Sequence, residues 1–357
     1  MPRKSLLEKL ISSPQTSVEE LDLVYVDDRT LPISRLKRGR GFSYYMNDRP
    51  LKNKKHIQRI KDLVIPPAWQ EVRITHLPNG HLQAVGKDVK NRKQYIYHLR
   101  WLEMRNQTKF YKMVGFGKKL PSIRKRVERD LRQKGWPKSK VLALIIKLME
   151  ETHIRIGSEK YAKMNHSYGL TTLRKKHVDI YRSKMKFEFT GKKGKKHSVT
   201  IRNKKLADLV SRCEDIAGWE LFQYFDQQGK KQSVDSGLVN GYLNEICGTS
   251  FTAKDFRTWA ASVLFFDALM DLGTATDKNE KHRNLLRGFD TVAEALGNTR
   301  NVCRKYYVHP VLVSCYENDS IEKSFKVAKR QSTGKKYFLP SEIAMLQLIQ
   351  KYRPEFS

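Results

Sequence analysis

Arg155 in HIRIGSEKY, Lys192 in FTGKKGKKH and Arg257 in TAKDFRTW carry the side-chain types that metal-free cutting of a phosphodiester demands, once a tyrosine joins them. Such a reaction needs a nucleophile, an acid for the leaving oxygen and donors for the charge that builds on pentacoordinate phosphorus. Tyrosine, lysine and arginine fill those three needs. Each residue alone is a weak signal, because among 70 Lys+Arg any single one is far more often solvated or merely set against a phosphate. Sixteen tyrosines are available, and spacing alone ranks none of them first.

The elements that would position these residues fall into two regions. Residues 18–98 read as strands: LDLVYV (21–26), FSYYM (42–46), VRITHL (72–77), HLQAVG (81–86) after the turn Pro78-Asn79-Gly80, and QYIYH (94–98). Tyr95 and Tyr97, two apart, project from one face of the last of these. From Trp101 the apolar period becomes helical, as over Ile123 to Lys134 and over Val141 to Glu150, where Leu142, Ile145, Ile146 and Met149 recur at i, i+3, i+4, i+7. Within that region KMKFEFTGKKGKKHSVTI (184–201) predicts a basic hairpin. Further helices are expected at 206–213, 237–247, 254–272 and 290–297, with GKKQSVDSG a turn or loop. The expected class is α+β: a small strand-rich domain over 1–98 and a mainly helical domain over 99–357 that carries the hairpin.

Charge narrows the partner. The 70 Lys+Arg against 37 Asp+Glu give +33, the footprint of a polyanion binder. No run of about 18 apolar residues is present, and the opening MPRKSLLEKLISS has too short an apolar stretch for a secretory signal. Nucleic acid is therefore expected over a membrane surface. Cys213, Cys247, Cys303 and Cys315 lie far apart with no C-x-x-C pair, which suggests neither a zinc site nor a disulfide framework and fits a reducing compartment. No phosphate-loop motif G-x-x-x-x-G-K-[ST] occurs, and no acidic cluster suggests a metal.

Four segments, in order, closely resemble the catalytic segments of poxvirus-like and bacterial type IB DNA topoisomerases: IRIGSEKYAKMNHSYGLTTLRKKHV (154–178), FTGKKGKKHSV (189–199), TAKDFRTWAA (252–261) and LGNTRNVCRKYYVHP (296–310). GKDVKNRKQYIYH (86–98) also resembles the DNA-contacting strand of that family's small N-terminal domain, so the likeness spans roughly residues 20–315. It implies the catalytic fold shared by tyrosine recombinases and type IB topoisomerases. It also implies that Arg155 and Arg257 hold the scissile phosphate, that Lys192 is the general acid, and that Tyr307 is the nucleophile linked to the 3′ phosphate. Tyr306 is the rival, but the family sets its nucleophile nine residues after its phosphate-binding histidine, and Asn298 plus nine is Tyr307. Asn298 itself departs from the poxvirus histidine. Its amide can still donate to a nonbridging oxygen, it cannot titrate near neutral pH, and it favours the bacterial branch.

The same likeness makes Lys254 a further phosphate contact and sets Lys160 and Tyr161 near the cut backbone. It turns Arg92, Lys93, Gln94, Tyr95 and Tyr97 toward the major groove or the phosphates. It implies relaxation of supercoiled duplex DNA by transient single-strand cleavage and religation, without ATP, metal or other cofactor. The expected agent is a monomer that clamps DNA inside a cell, with the bacterial cytoplasm as the expected setting. Two other readings remain open here. A tyrosine recombinase or integrase shares the Arg, Lys, Arg, Tyr chemistry, but usually shows H-x-x-R where this chain has Lys254-x-x-Arg257, and carries a helical N-terminal domain. A noncatalytic architectural DNA binder would use the same basic residues only to neutralise phosphates.

Overall fold

Alternating apolar and polar side chains build the first of two units into which the chain divides, residues 18–111. The structure is a computed structural model and describes residues 18–248, 251–330 and 336–352. Strands β1 (Ile33–Arg38), β2 (Gly41–Met46) and β3 (Arg49–Pro50) are followed by helix α1 (Lys54–Asp62) and by β4 (Gln70–Ile74), β5 (Leu82–Lys87) and β6 (Lys93–Tyr97). They form one antiparallel sheet in the order β3-β2-β1-β4-β5-β6. Ile33, Val72, Ile74 and Ala84 of the sheet pack with Ile60 of α1 as its core. Arg35 is buried against this core because its guanidinium donates to the carbonyls of Ile65, Pro66 and Trp69, which replaces lost hydration with three acceptors.

β6 lies at an edge of the sheet, paired with β5 so that Val85 faces Tyr95 and Leu82 faces Tyr97. The strand expected over 21–26 is a correction: Val18–Leu21 is a 3-10 turn, and Val24 makes only an isolated bridge to Gly80. Leu23 drops into a cluster with Val18, Trp101 and Met104, so its apolar character serves a local plug and not a sheet face. β1 and α1 occupy stretches to which the pattern had assigned no element.

Helix α2 (Leu99–Leu131) opens the helical part, and residues from Lys112 onward belong to the second unit, 112–352. There α3 (Lys138–Thr152) is buried along most of its length, from Val141 to Met149. After α4 (Glu159–Asn165) come β7 (Val178–Tyr181), β8 (Lys184–Thr190) and β9 (Lys196–Arg202), an antiparallel three-stranded sheet containing the predicted basic hairpin. Helix α5 (Lys204–Glu214) precedes a second hairpin, β10 (Gln223–Phe225) with β11 (Lys231–Ser233). That hairpin corrects the turn or loop expected around GKKQSVDSG. Its strands are three residues each and polar, so they carry no apolar alternation to read.

Helices α6 (Ser236–Cys247), α7 (Ala253–Leu272) and α8 (Lys278–Leu296) follow. α7 is the centre of this core: Phe265 packs on Phe289 of α8 at 4.5 Å, and Phe256 and Trp259 pack on Phe116 of α2. The helix expected at 290–297 begins twelve residues earlier, at Lys278, because its first half is too polar to show an apolar period. The chain continues through α9 (Arg300–Tyr306), α10 (Pro310–Glu317), α11 (Glu322–Arg330) and α12 (Pro340–Ile349).

These last helices pack within the second unit. The Tyr316 hydroxyl donates to the Gly273 carbonyl at 2.7 Å, and Phe325 meets Phe266 edge to face. Buried Glu342 accepts a two-pronged contact from Arg124 at 2.7 and 2.8 Å and a further bond from the Trp259 indole at 2.9 Å. Both charges are satisfied on several sides, which is the condition under which a buried pair holds. No helix among the described residues is long and apolar enough to cross a membrane.

Candidate active site

Arg155 stands in the extended segment after α3, whose C-cap His153 takes a left-handed conformation (φ 54°) that turns the chain sharply. The segment is closed against the loop before Leu170: the Leu170 and Thr171 N–H groups donate to the carbonyls of Arg155 and Ile156 at 2.9 and 2.7 Å. The backbones approach so closely at Gly157 and Gly169 that a Cβ on Gly169 would meet the Gly157 nitrogen at 2.6 Å. The spelling IRIGSEKY…YGLTT is thus a requirement of backbone contact.

Arg257 lies in the second turn of α7. That helix starts at Thr252, whose N–H and hydroxyl both donate to the Asp255 carboxylate at 2.8 and 3.0 Å. Its guanidinium is buried, 4% exposed, and donates to the carbonyls of His153 and Leu296. Burial, with the charge of Arg155 added, pushes its pKa down to about 10. Among the described residues no carboxylate pairs with Arg257, Arg155 or Lys192, so all three charges remain available to an anion.

Asn298 caps the turn after α8, beside Gly297 in the left-handed region (φ 60°). Arg155 Nη2 donates to Asn298 Oδ1 at 2.5 Å. Tyr307 follows α9, with its ring 5.6 Å from the Arg257 guanidinium carbon. Its N–H donates to the Cys303 carbonyl at 3.0 Å, and its own carbonyl accepts from the Ser262 hydroxyl at 3.3 Å. Burial raises the phenol pKa, but the charges of Arg257 and Arg155, a hydrogen bond from Arg257 and the more distant Lys254 outweigh it, so the net direction is down. Tyr306 differs: it is 41% exposed, with Lys305 5.6 Å over its ring.

Lys192 opens the turn between β8 and β9, with an exposed side chain. Arg155, Lys192 and Arg257 line one cleft, together with His153, Tyr168 and His197. The structure therefore brings together the five residues expected to carry the chemistry: three line the cleft, Asn298 is bonded to one of them, and the Tyr307 ring lies by another. Lys254 is exposed on the first turn of α7, three residues before Arg257, while Lys160 and Tyr161 are exposed on α4 and do not line the cleft.

In the first unit, the β6 set is engaged internally. Arg92 and Gln94 both reach Asp88, at 2.6 and 3.0 Å, and Lys93 pairs with Asp28 at 2.7 Å. Tyr95 and Tyr97 share a face and stack at 5.8 Å, with Tyr95 40% exposed and Tyr97 packed on Leu82 and Val85.

Two histidines in the cleft were not singled out by sequence. Burial, followed by the charge of Arg257, pushes His153 down to about 4. Burial, then Arg155, Lys195 and Arg257, does the same to His197, so both rings are neutral near pH 7. A signal for His197 was available: it shares the period-two face of β9 with Val199 and Ile201.

A family model described as eukaryotic DNA topoisomerase I, catalytic core, matches residues 90–333, and one described as bacterial DNA topoisomerase IB, N-terminal domain, matches residues 41–88. The chain is 36% identical over 295 residues to a DNA topoisomerase 1B of Acanthamoeba polyphaga mimivirus, covering 80% of this chain and 88% of that protein. It is 21% identical over 228 residues to DNA topoisomerase I of Monkeypox virus and to DNA topoisomerase 1B of Vaccinia virus (strain Copenhagen), covering 63% of this chain and 69% of each.

Proposed function

Because the chain belongs to the type IB DNA topoisomerase family, with DNA as its partner, we propose that it cuts one strand of supercoiled duplex DNA through Tyr307, lets the duplex rotate, and reseals it. The Tyr307 oxygen attacks phosphorus, forming a 3′-phosphotyrosyl bond while the bond to the 5′ oxygen breaks. Lys192 gives its proton to that departing oxygen, and the phenol proton passes to solvent. Arg155, Arg257 and the Asn298 amide hold the charge on the phosphorane. The new ester conserves the energy of the old one, so attack by the 5′ hydroxyl reverses the step without a nucleotide, and torsion in the DNA drives the net change.

The observation that carries this reading is the Tyr307 ring set against buried Arg257, with Arg257 and Arg155 together lowering its pKa. Lys254 is proposed as a phosphate contact of the same site, with Lys160 and Tyr161 flanking it. The β6 edge, with Tyr95 and the Arg92, Lys93 and Gln94 heads, is proposed to meet DNA once its internal pairs exchange for phosphates. The family match sets aside the recombinase and architectural readings. We take the acting species to be a monomer that needs no cofactor, working in an intracellular compartment that holds DNA. With a net charge of +33 its binding weakens steeply with salt as counterions are no longer released to advantage.

The test is relaxation of supercoiled plasmid in EDTA without ATP, for the intact protein, Tyr307→Phe and Tyr306→Phe. Loss in Tyr307→Phe alone supports the assignment. Relaxation that survives Tyr307→Phe, or none by the intact protein across a range of salt, overturns it.

A further inference from the structure

The imidazole of His197 sits where two turns of the site come together. At the start of β9 it pairs across the hairpin with Phe189, and the two rings stack at 5.1 Å, 10° from parallel. A Cβ added to Gly191 would lie 2.6 Å from His197 Cδ2 and Nε2, and one added to Gly297 would lie 2.5 Å from its Cε1. Gly191 immediately precedes Lys192, and Gly297 immediately precedes Asn298. The ring thus fills the space that side chains at both positions would take, with one turn seated on each side.

From this juxtaposition we infer that His197 is a positioning residue, which holds the Lys192 turn at a fixed offset from the Asn298 turn so that the lysine meets the leaving oxygen. The Lys192 turn is closed on itself: the Gly191 N–H donates to the Lys195 carbonyl at 2.7 Å, and the Gly194 N–H to the Gly191 carbonyl at 3.1 Å. Such a turn moves as one piece, and what sets its place relative to the phosphate is the surface beneath it. Lys192 itself is exposed and makes no carboxylate pair among the described residues, so its side chain has no anchor of its own. Displacement of about 1 Å of a catalytic group is enough to cost on the order of 100-fold in rate. A neutral ring suits the place, since Arg155, Lys195 and Arg257 already act on it and a further cation would be repelled.

The inference rests on Lys192 acting as the general acid, and the experiment separates the two. Single-turnover cleavage is measured on a duplex carrying a cleavage site mapped with the intact protein, with either oxygen or sulfur as the 5′ bridging atom of the scissile phosphate. A thiolate leaves without an acid, so sulfur removes the need for proton delivery and nothing else. His197→Ala is expected to cut the oxygen duplex about 10- to 100-fold more slowly, to cut the sulfur duplex within about 3-fold of the intact rate, and to bind DNA as tightly as the intact protein does. Gly191→Ala, at φ −100° and so free of left-handed strain, presses on the ring from the hairpin side; it is expected to show the same pattern and serves if His197→Ala does not fold.

Lys192→Ala is run alongside. Its failure to recover on sulfur overturns the general-acid assignment, and the inference with it. Recovery of Lys192→Ala while His197→Ala stays equally slow on both duplexes overturns the inference alone. Full speed of His197→Ala on oxygen does so as well.

Discussion

Arg155 donates to Asn298 Oδ1 at 2.5 Å, and that bond fixes which way the amide faces. With its oxygen taken by Arg155, the buried Nδ2 is left with no hydrogen-bond acceptor beyond its approach to the Cys303 thiol. A buried donor without an acceptor is costly to keep, and in the mechanism proposed above a nonbridging phosphate oxygen would supply one.

Asn298→Ala should therefore slow single-turnover cleavage by roughly 100- to 1,000-fold, the usual effect of deleting one donor to a developing oxyanion. Asn298→Asp should be slower still, although its carboxylate can keep the bond from Arg155, because it brings a negative charge to the phosphate. An Asp variant faster than the Ala variant would show that only the Arg155 bond matters.

The lowered pKa of Tyr307 has a readable sign. The phenolate forms at lower pH than in a free tyrosine, so the cleavage rate should climb with pH and level off below about 10. Arg155→Gln removes one of the charges responsible and should displace the climbing limb toward alkaline pH, apart from lowering the rate. An undisplaced limb in a pH–rate series would sever Arg155 from the nucleophile.

Tyr95 and Tyr97 share a face of β6 but not a role. Tyr97→Ala takes a partly buried ring from the Leu82 and Val85 cluster and should cost roughly 1–3 kcal/mol in thermal or urea unfolding, less than a fully buried aromatic. Tyr95→Ala should change stability by less than about 0.5 kcal/mol while weakening DNA binding. Equal losses of binding with no difference in stability would contradict this division.

Asp267 gives a pH dependence to the second unit. Burial, with Asp271 and Glu342 adding to it against a hydrogen bond from Ser341, pushes its carboxyl from 3.8 up to about 6. The folded state then holds the proton more tightly than the unfolded chain, so stability falls as pH rises from about 4 to about 6 and is level above that. Asp267→Asn should remove this slope and stabilise the protein at pH 7–8 by up to about 3 kcal/mol. Denaturant midpoints of the two proteins that run parallel across pH 4–8 would refute it.

Much of this was legible in the sequence wherever one physical rule dominated. α3 and α7 are buried along long stretches and declare themselves by period, and the β8–β9 hairpin by Phe187 and Phe189 alternating before Gly191. The polar β10–β11 hairpin and the first half of α8 escaped because their stability comes from tertiary neighbours and not from their own pattern. LDLVYV misled because β-rich composition does not distinguish a sheet face from a plug. Of the site, Arg155, Lys192, Arg257, Asn298 and Tyr307 were reached through resemblance, since their spacing across more than 150 residues obeys no local rule. The seat of His197 between Gly191 and Gly297 could not be read at all, because the contact is one of volume, made between segments about a hundred residues apart.

The way Arg257 is held also bears on what DNA does for the protein. Its guanidinium is secured by the carbonyls of His153 and Leu296, which are dipoles and not ions, while Arg155 stands near enough to disfavour its charge. On the mechanism proposed above, the first full counter-charge this pair would meet is the phosphate itself. Without DNA the two arginines oppose each other; with it they would pull on a common anion, so the DNA would enter this cleft as the missing member of an ion cluster as much as a molecule to be cut.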